Sequence, residues 1–164
     1  MKFLEKDLEQ IIFETRNELL REKGLEISGK KVRQLRLGNY GIADLVTITK
    51  PGFIISKDPK YNGFFEDSIY IDIYELKQDK ISVSAFLQAC GYYKGISKYI
   101  SKHNKLKKDY KIRLNLVGKT IDTTSEFIYL SDIFEDVNFF TYDYGFEGIS
   151  FTQHFGYCLT NDGF

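Results

Sequence analysis

The sequence predicts a single α/β domain, and three observations carry that expectation. Apolar residues recur at helical spacing over residues 3–23 and 82–102. Alternating or β-branched and aromatic runs at 31–37, 42–49, 68–76 and 110–117 read as strands. The path from 68–76 through the helix to 110–117 is long enough for a parallel crossover, which chirality makes right-handed. At 164 residues the chain can bury one core without help from disulfides, and no repeat, low-complexity tract or linker marks a second domain, so 1–164 is expected to fold as one unit.

The first helix carries Leu4, Leu8, Ile11, Ile12, Leu19 and Leu20, and Gly24 ends it. Glu5 and Glu9 lie one turn apart beside the Leu8 and Ile12 stripe, so either can look toward a site at the sheet edge. The strands 31–37 and 42–49 form a hairpin around Gly38-Asn39-Tyr40-Gly41. On the second of them Asp44 shares a face with Ile42, Val46 and Ile48, where a carboxylate needs a cation. Arg33 or Arg36 would supply one as a salt bridge, and a divalent ion shared with Glu75 is the other reading.

Residues 50–67, with Pro51 and Pro59, read as an excursion with a short extra strand near 53–56, bordering a substrate groove. The strand 68–76, rich in Ile and Tyr, is expected to be central. Ile71, Ile73, Glu75 and Lys77 share one of its faces, which puts a carboxylate and an ammonium side by side at its end. The helix that follows starts near Ser82 and carries Gln88 and Tyr92 on one face, while Ala85, Ala89, Gly91 and Gly95 allow close approach to the sheet. Strand 110–117 adds a fourth strand, and the aromatic runs beyond it, with Tyr144-Gly145 as a turn, form a C-terminal β-rich extension over 118–164.

Net charge is zero, but the sign divides along the chain. Residues 94–113 hold eight basic side chains against Asp109, a local charge of +7, and 114–164 hold eight acidic ones against Lys119, a local charge of −7. A basic stretch of this kind is either a solvated helix end or a phosphate-tracking face, for which Lys94, Lys98 and Lys102 are the candidates on the helix. Cys90 and Cys158 have no ligand spacing and read as reduced core thiols. No signal peptide and no membrane span are expected, so the expected location is cytoplasmic. His103 and His154 are isolated from other candidate ligands and stay outside the chemistry.

Asp44 and Glu75, with the Leu76 carbonyl, form an oxygen set suited to Mg²⁺ or Mn²⁺, which phosphodiester hydrolysis uses to activate water and offset phosphate charge. Lys77, flanked by carboxylates, suits orientation of that water better than deprotonation of it.

Gly41-Ile42-Ala43-Asp44, then Glu75-Leu76-Lys77, then Gln88 and Tyr92 on the next helix resemble the PD-(D/E)XK, or restriction endonuclease-like, nuclease superfamily. The helix Gln and Tyr are most similar to its RecB-like and mismatch-endonuclease branches. Over residues 3–117 the resemblance implies an α-β-β-β-α-β core with a mixed four-stranded sheet flanked by helices. It further implies that Asp44 and Glu75 bind metal, Lys77 positions the attacking water and Glu5 supports a metal or its water. Gln88 and Tyr92 would support the site or contact nucleic acid. Products of this class carry 5′-phosphate and 3′-hydroxyl ends, and members that cut both strands commonly do so as homodimers. The expected function is therefore a Mg²⁺-dependent DNA endonuclease, with RNA as the alternative polymer. Two other readings stand beside it: a non-catalytic nucleic-acid-binding module on the same core, and a protein-interaction domain docking through its acidic C-terminal part.

Overall fold

The structure, a computed structural model, describes residues 3–50, 52–54, 64–66, 68–103, 109–124, 129, 134 and 136–155. It is an α/β fold built on a mixed six-stranded sheet. In chain order the elements are α1 (Glu5–Glu14), α2 (Asn17–Glu22), β1 (Lys30–Arg36), a single 3-10 turn (Gly38–Tyr40), β2 (Ile42–Thr49), β3 (Gly52–Ile54) and β4 (Phe64–Glu66). They continue as β5 (Ile69–Leu76), β6 (Lys80–Ile81), α3 (Val83–His103), β7 (Tyr110–Gly118), β8 (Thr120–Ile121), β9 (Val137–Gly145) and β10 (Gly148–His154).

The sheet order is β1-β2-β5-β7-β9-β10. β1, β2 and β5 are antiparallel neighbours, β5, β7 and β9 run parallel, and β10 returns antiparallel to β9. Strand β5 lies inside the sheet with Ile71 through Leu76 all buried, in keeping with its apolar composition. The expected four-stranded sheet is thus corrected to six. The C-terminal strands continue the sheet beyond β7, because Val137, Phe139 and Phe140 supply apolar side chains to both of its faces.

Alternation along each strand sorts the core into two layers. Val46, Ile73, Leu116 and Phe139 pack under α3 with Phe86, Ala89, Tyr92 and Ile96. Their neighbours Leu45, Tyr74, Val117 and Phe140 pack on the other face against Leu8 and Ile12 of α1 and Leu20 of α2. Strands buried on both faces need apolar side chains on both, as β5 has from Ile71 to Leu76 apart from Asp72 and Glu75, whereas β7 alternates, with Lys111, Arg113 and Asn115 on one face and Arg113 paired with Asp72.

The continuous helix expected over 3–23 is broken at Thr15 and Arg16, both extended. Lys31 on β1 accounts for the break: its ammonium donates to the carbonyls of Ile12 (2.8 Å), Phe13 (3.2 Å) and Thr15, satisfying the end of α1 where no further turn does. Burial depresses the Lys31 pKa, and the charge of Glu18 opposes that effect only in part.

α2 ends as the sequence indicates. Gly24, at φ 96°, closes a pair of hydrogen bonds in which Leu25 N–H donates to Leu20 O (2.9 Å) and Gly24 N–H to Arg21 O (3.0 Å). Phe151 N–H on β10 then donates to Lys23 O at 2.7 Å, which ties the last strand to this corner.

The excursion after β2 contains the two-stranded pair β3–β4, and its prolines lie outside the described residues, as do Cys158, Lys105, Lys107, Lys108 and most of the apolar run at 127–134. Tyr142 and Phe151 are core residues, while Tyr144 and Phe146 are exposed. Among the described residues no helix is long and apolar enough to cross a membrane.

A Cβ on Gly24 would sit 2.1 Å from the Phe151 carbonyl oxygen as well as in a left-handed backbone. Gly24→Ala is therefore expected to destabilise the fold by at least about 2 kcal/mol in urea unfolding. Gly145→Ala, with open space around it, should stay within about 0.5 kcal/mol. Equal effects at the two positions would contradict the proposed tie between α2 and β10.

Candidate metal and nucleic-acid site

The site forms where one antiparallel ladder comes apart. β2 and β5 pair from Thr49↔Tyr70 to Leu45↔Tyr74 and no further, so Asp44 and Glu75 face each other just past the last pair, on the α3 side of the sheet. The backbone N–H of Leu76 is taken by the Asp44 carboxylate, Oδ2 at 3.1 Å, instead of by a β2 carbonyl. On the other side of β2 the register passes from Arg33↔Leu45 to Leu35↔Ala43, and Gln34, the residue between, is held at φ 51°. A left-handed φ is uncommon outside glycine, and here it marks a strand distorted on the flank of Asp44.

Glu75 is 2 % exposed. Its Oε1 meets Lys77 Nζ at 2.6 Å, while its Oε2 is buried with no hydrogen-bond partner. Burial is the main cause that lifts the Glu75 carboxyl to about 7; the Lys77 bond opposes the lift and the charges of Asp44 and Glu5 add to it. Burial likewise raises Asp44 to about 6 against the Leu76 hydrogen bond, with Glu5 and Glu9 adding repulsion. Lys77 is buried enough to lose basicity, yet its bond to Glu75 and the surrounding carboxylates outweigh burial and leave it above the ordinary lysine range. It remains an ammonium at neutral pH.

The first helix contributes two carboxylates with different fates. Glu9 is buried and consumed: Arg33 Nε binds its Oε1 and Gln34 Nε2 binds its Oε2 at 2.7 Å. Arg33, a candidate partner for Asp44 on sequence grounds, is thereby assigned to Glu9, and Arg36 is exposed without a carboxylate among the described residues. Glu5 is half-buried and makes its charge felt at Asp44, Glu75 and Lys77. It stays at the rim, since among the described residues no three His, Cys, Asp or Glu side chains are grouped to hold a metal ion. The Asp44–Glu75 pair is accordingly two carboxylates, tied to Leu76 through its backbone N–H.

From above, α3 brings Tyr92 and Gln88 toward the pair. Burial raises the Tyr92 hydroxyl, the charges of Glu75 and Asp44 raise it further, and Lys77 and a hydrogen bond with Gln88 work the other way. Gly41 admits Tyr92: it has φ 100°, and a Cβ there would lie 3.1 Å from Tyr92 Cε1. Farther along the helix, Lys94, Lys98 and Lys102 are exposed, with Lys98 Nζ 5.4 Å from the Tyr40 ring centroid. Glu5, Asp44, Glu75, Lys77, Gln88 and Tyr92 therefore converge, while the three lysines line a separate stretch of α3. Sequence reasoning did not anticipate Gln34, whose polar character gave no sign of its backbone conformation.

No family model, curated protein or solved structure matches this chain.

Because both carboxyls titrate above their unfolded values, the stability their neutral forms confer is present below about pH 4 and is lost as pH rises through 6 to 7 in metal-free protein. Glu75→Gln should leave stability nearly unchanged at about pH 4 and raise it by roughly 1–3 kcal/mol at about pH 8. Thermal unfolding in EDTA across that range measures the difference, and a constant or shrinking difference would contradict a desolvated, repelled pair.

Proposed function

We propose that this protein is a metal-dependent nuclease of the restriction endonuclease-like class, hydrolysing phosphodiester bonds in DNA. The observation that carries the reading is Glu75 Oε2, a buried carboxylate oxygen with no donor, facing a second carboxylate across an open ladder. Without metal such a group is relieved by holding a proton, as the raised Glu75 pKa reflects, and a divalent cation shared with Asp44 would relieve both carboxylates at once. With α2, the 3-10 turn and the short strands β3, β4 and β6 read as additions, the order α1, β1, β2, β5, α3, β7 is consistent with the α-β-β-β-α-β core that the motif resemblance implies.

Asp44, Glu75 and the Leu76 carbonyl would hold Mg²⁺ or Mn²⁺, since all three are hard oxygen ligands. Such an ion supplies a lowered water pKa and charge to offset the phosphate oxygens. Lys77 Nζ, anchored on Glu75 Oε1, donates to the attacking water and fixes its direction toward phosphorus; as an ammonium it also opposes the negative charge that grows in the transition state. Glu5 at the rim accepts a proton or a hydrogen bond from water near the pair. Tyr92 walls the site from bulk solvent, and Gln88 holds the Tyr92 hydroxyl and faces the substrate backbone. Lys94, Lys98 and Lys102 neutralise phosphates. Products would carry 5′-phosphate and 3′-hydroxyl ends, and a homodimer would bring two sites to the two strands.

Supercoiled plasmid should be nicked or linearised with Mg²⁺ or Mn²⁺ and spared in EDTA. Asp44→Asn, Glu75→Ala and Lys77→Ala should each slow the reaction by about 100-fold or more while the protein stays folded. A folded wild type inert toward single- and double-stranded DNA and RNA with both metals would overturn the proposal.

A further inference from the structure

Strands β1 and β2 keep one register from Lys30↔Ile48 to Arg36↔Ile42 with no residue inserted, which makes Gln34 the direct partner of Asp44. Theirs is the pair missing from that ladder. Residues two apart on a strand share a face, yet the pairs on either side of this gap do not. Arg33 reaches Glu9 of α1 and its partner Leu45 packs with α1, whereas Leu35 and its partner Ala43 pack under α3. Both strands therefore change face at Gln34 and Asp44.

On β1 the change is made by the Gln34 backbone, whose φ of 51° is the one positive value outside glycine among the described residues. A residue with a side chain adopts that conformation only at a cost, and something must offset it. Gln34 is exposed, so burial does not hold it. Its Nε2 donates to Glu9 Oε2 at 2.7 Å, and Glu9 is itself fixed, 6 % exposed with Arg33 on Oε1. On β2 the same change of face leaves the Asp44 carboxylate on the Leu76 N–H, where it meets Glu75.

We propose that Gln34 is a positioning residue for Asp44, and that its bond to Glu9 keeps β1 left-handed at this point and the Asp44 carboxylate on Leu76. The proposal rests on the nuclease reading for the metal that Asp44 shares with Glu75. It adds the residues outside the site on which the placement of that ligand depends. Released from Glu9, residue 34 relaxes to extended strand, the Gln34↔Asp44 pair closes, and the carboxylate is drawn off Leu76 and away from Glu75.

Gln34→Ala and Gln34→Gly test this, because both remove the amide and leave the Glu9–Arg33 pair in place, while glycine alone takes the left-handed backbone freely. Hydrogen exchange followed by NMR in EDTA reads the Asp44 anchor without metal. The Leu76 amide should exchange at least about tenfold faster than wild type in Gln34→Ala and within about threefold of it in Gln34→Gly. The Ile73 amide, deeper in the same strand, should keep its wild-type protection in both. Mn²⁺ affinity by calorimetry should fall in the same order, by about tenfold or more for alanine and less than about threefold for glycine. A Leu76 amide as protected in Gln34→Ala as in wild type, equal loss in the two variants, or acceleration that extends equally to Ile73 would overturn the proposal. Wild type that binds no Mn²⁺ but shows this exchange pattern would sink the metal reading and leave the placement of Asp44 standing. Mn²⁺ binding and plasmid cleavage by wild type, with no difference between the alanine and glycine variants, would do the reverse.

Discussion

The structure turns on one buried carboxylate left half satisfied. Three acidic side chains are buried among the described residues: Glu9, Asp72 and Glu75. Glu9 has Arg33 on one oxygen and Gln34 on the other. Asp72 has Arg113 on both, Nε at 2.5 Å and Nη2 at 2.7 Å. Glu75 has Lys77 on Oε1 and nothing on Oε2. The same fold that completes two buried anions leaves the third short of a donor, next to another carboxylate raised by burial. Desolvation without compensation opposes folding, and the group answers it by holding its proton to about pH 7.

Local backbone geometry produces this condition. Had the β2–β5 ladder continued past Leu45↔Tyr74, the Leu76 N–H would face a β2 carbonyl and Asp44 would lose its anchor. Instead β2 starts after the left-handed Gly41, Tyr92 occupies the space a side chain there would fill, and Lys77 N–H bonds Val117 O at 2.8 Å to keep the end of β5 against β7. Glycine, tyrosine and the parallel neighbour together fix two carboxylates at a strand opening. Rigid placement of this kind is what a charge-stabilising site requires, because groups already in position need no reorganisation when charge develops.

Much of this was legible in the sequence, for identifiable reasons. Period-two and helical patterns located β1, β2, β5, α3 and β7, and the Glu75-Leu76-Lys77 end of a buried strand stood out because charge there is so unfavourable, as the Glu75–Lys77 pair shows. What stayed hidden depends on long-range contacts. The break at Thr15 is set by Lys31, sixteen residues later; Glu9 and Glu5 are equivalent by helical spacing and are separated only by the reach of Arg33 and Gln34 from β1. The sheet's last two strands read as apolar runs with no sign that β9 would lie parallel to β7. The Arg113–Asp72 pair, across adjacent parallel strands, joins residues forty-one apart in sequence and gave no local signal.

The central claim is that Asp44 and Glu75 await a divalent cation. Titration calorimetry with Mn²⁺ near pH 6.5, repeated in buffers of different ionisation enthalpy, measures it directly, because a partly protonated pair must shed protons as a metal binds. Saturable binding with proton release that diminishes toward pH 8, and loss of binding in both Asp44→Asn and Glu75→Gln, is the predicted result. Absence of binding by the wild type, or binding that both variants retain, would contradict the account.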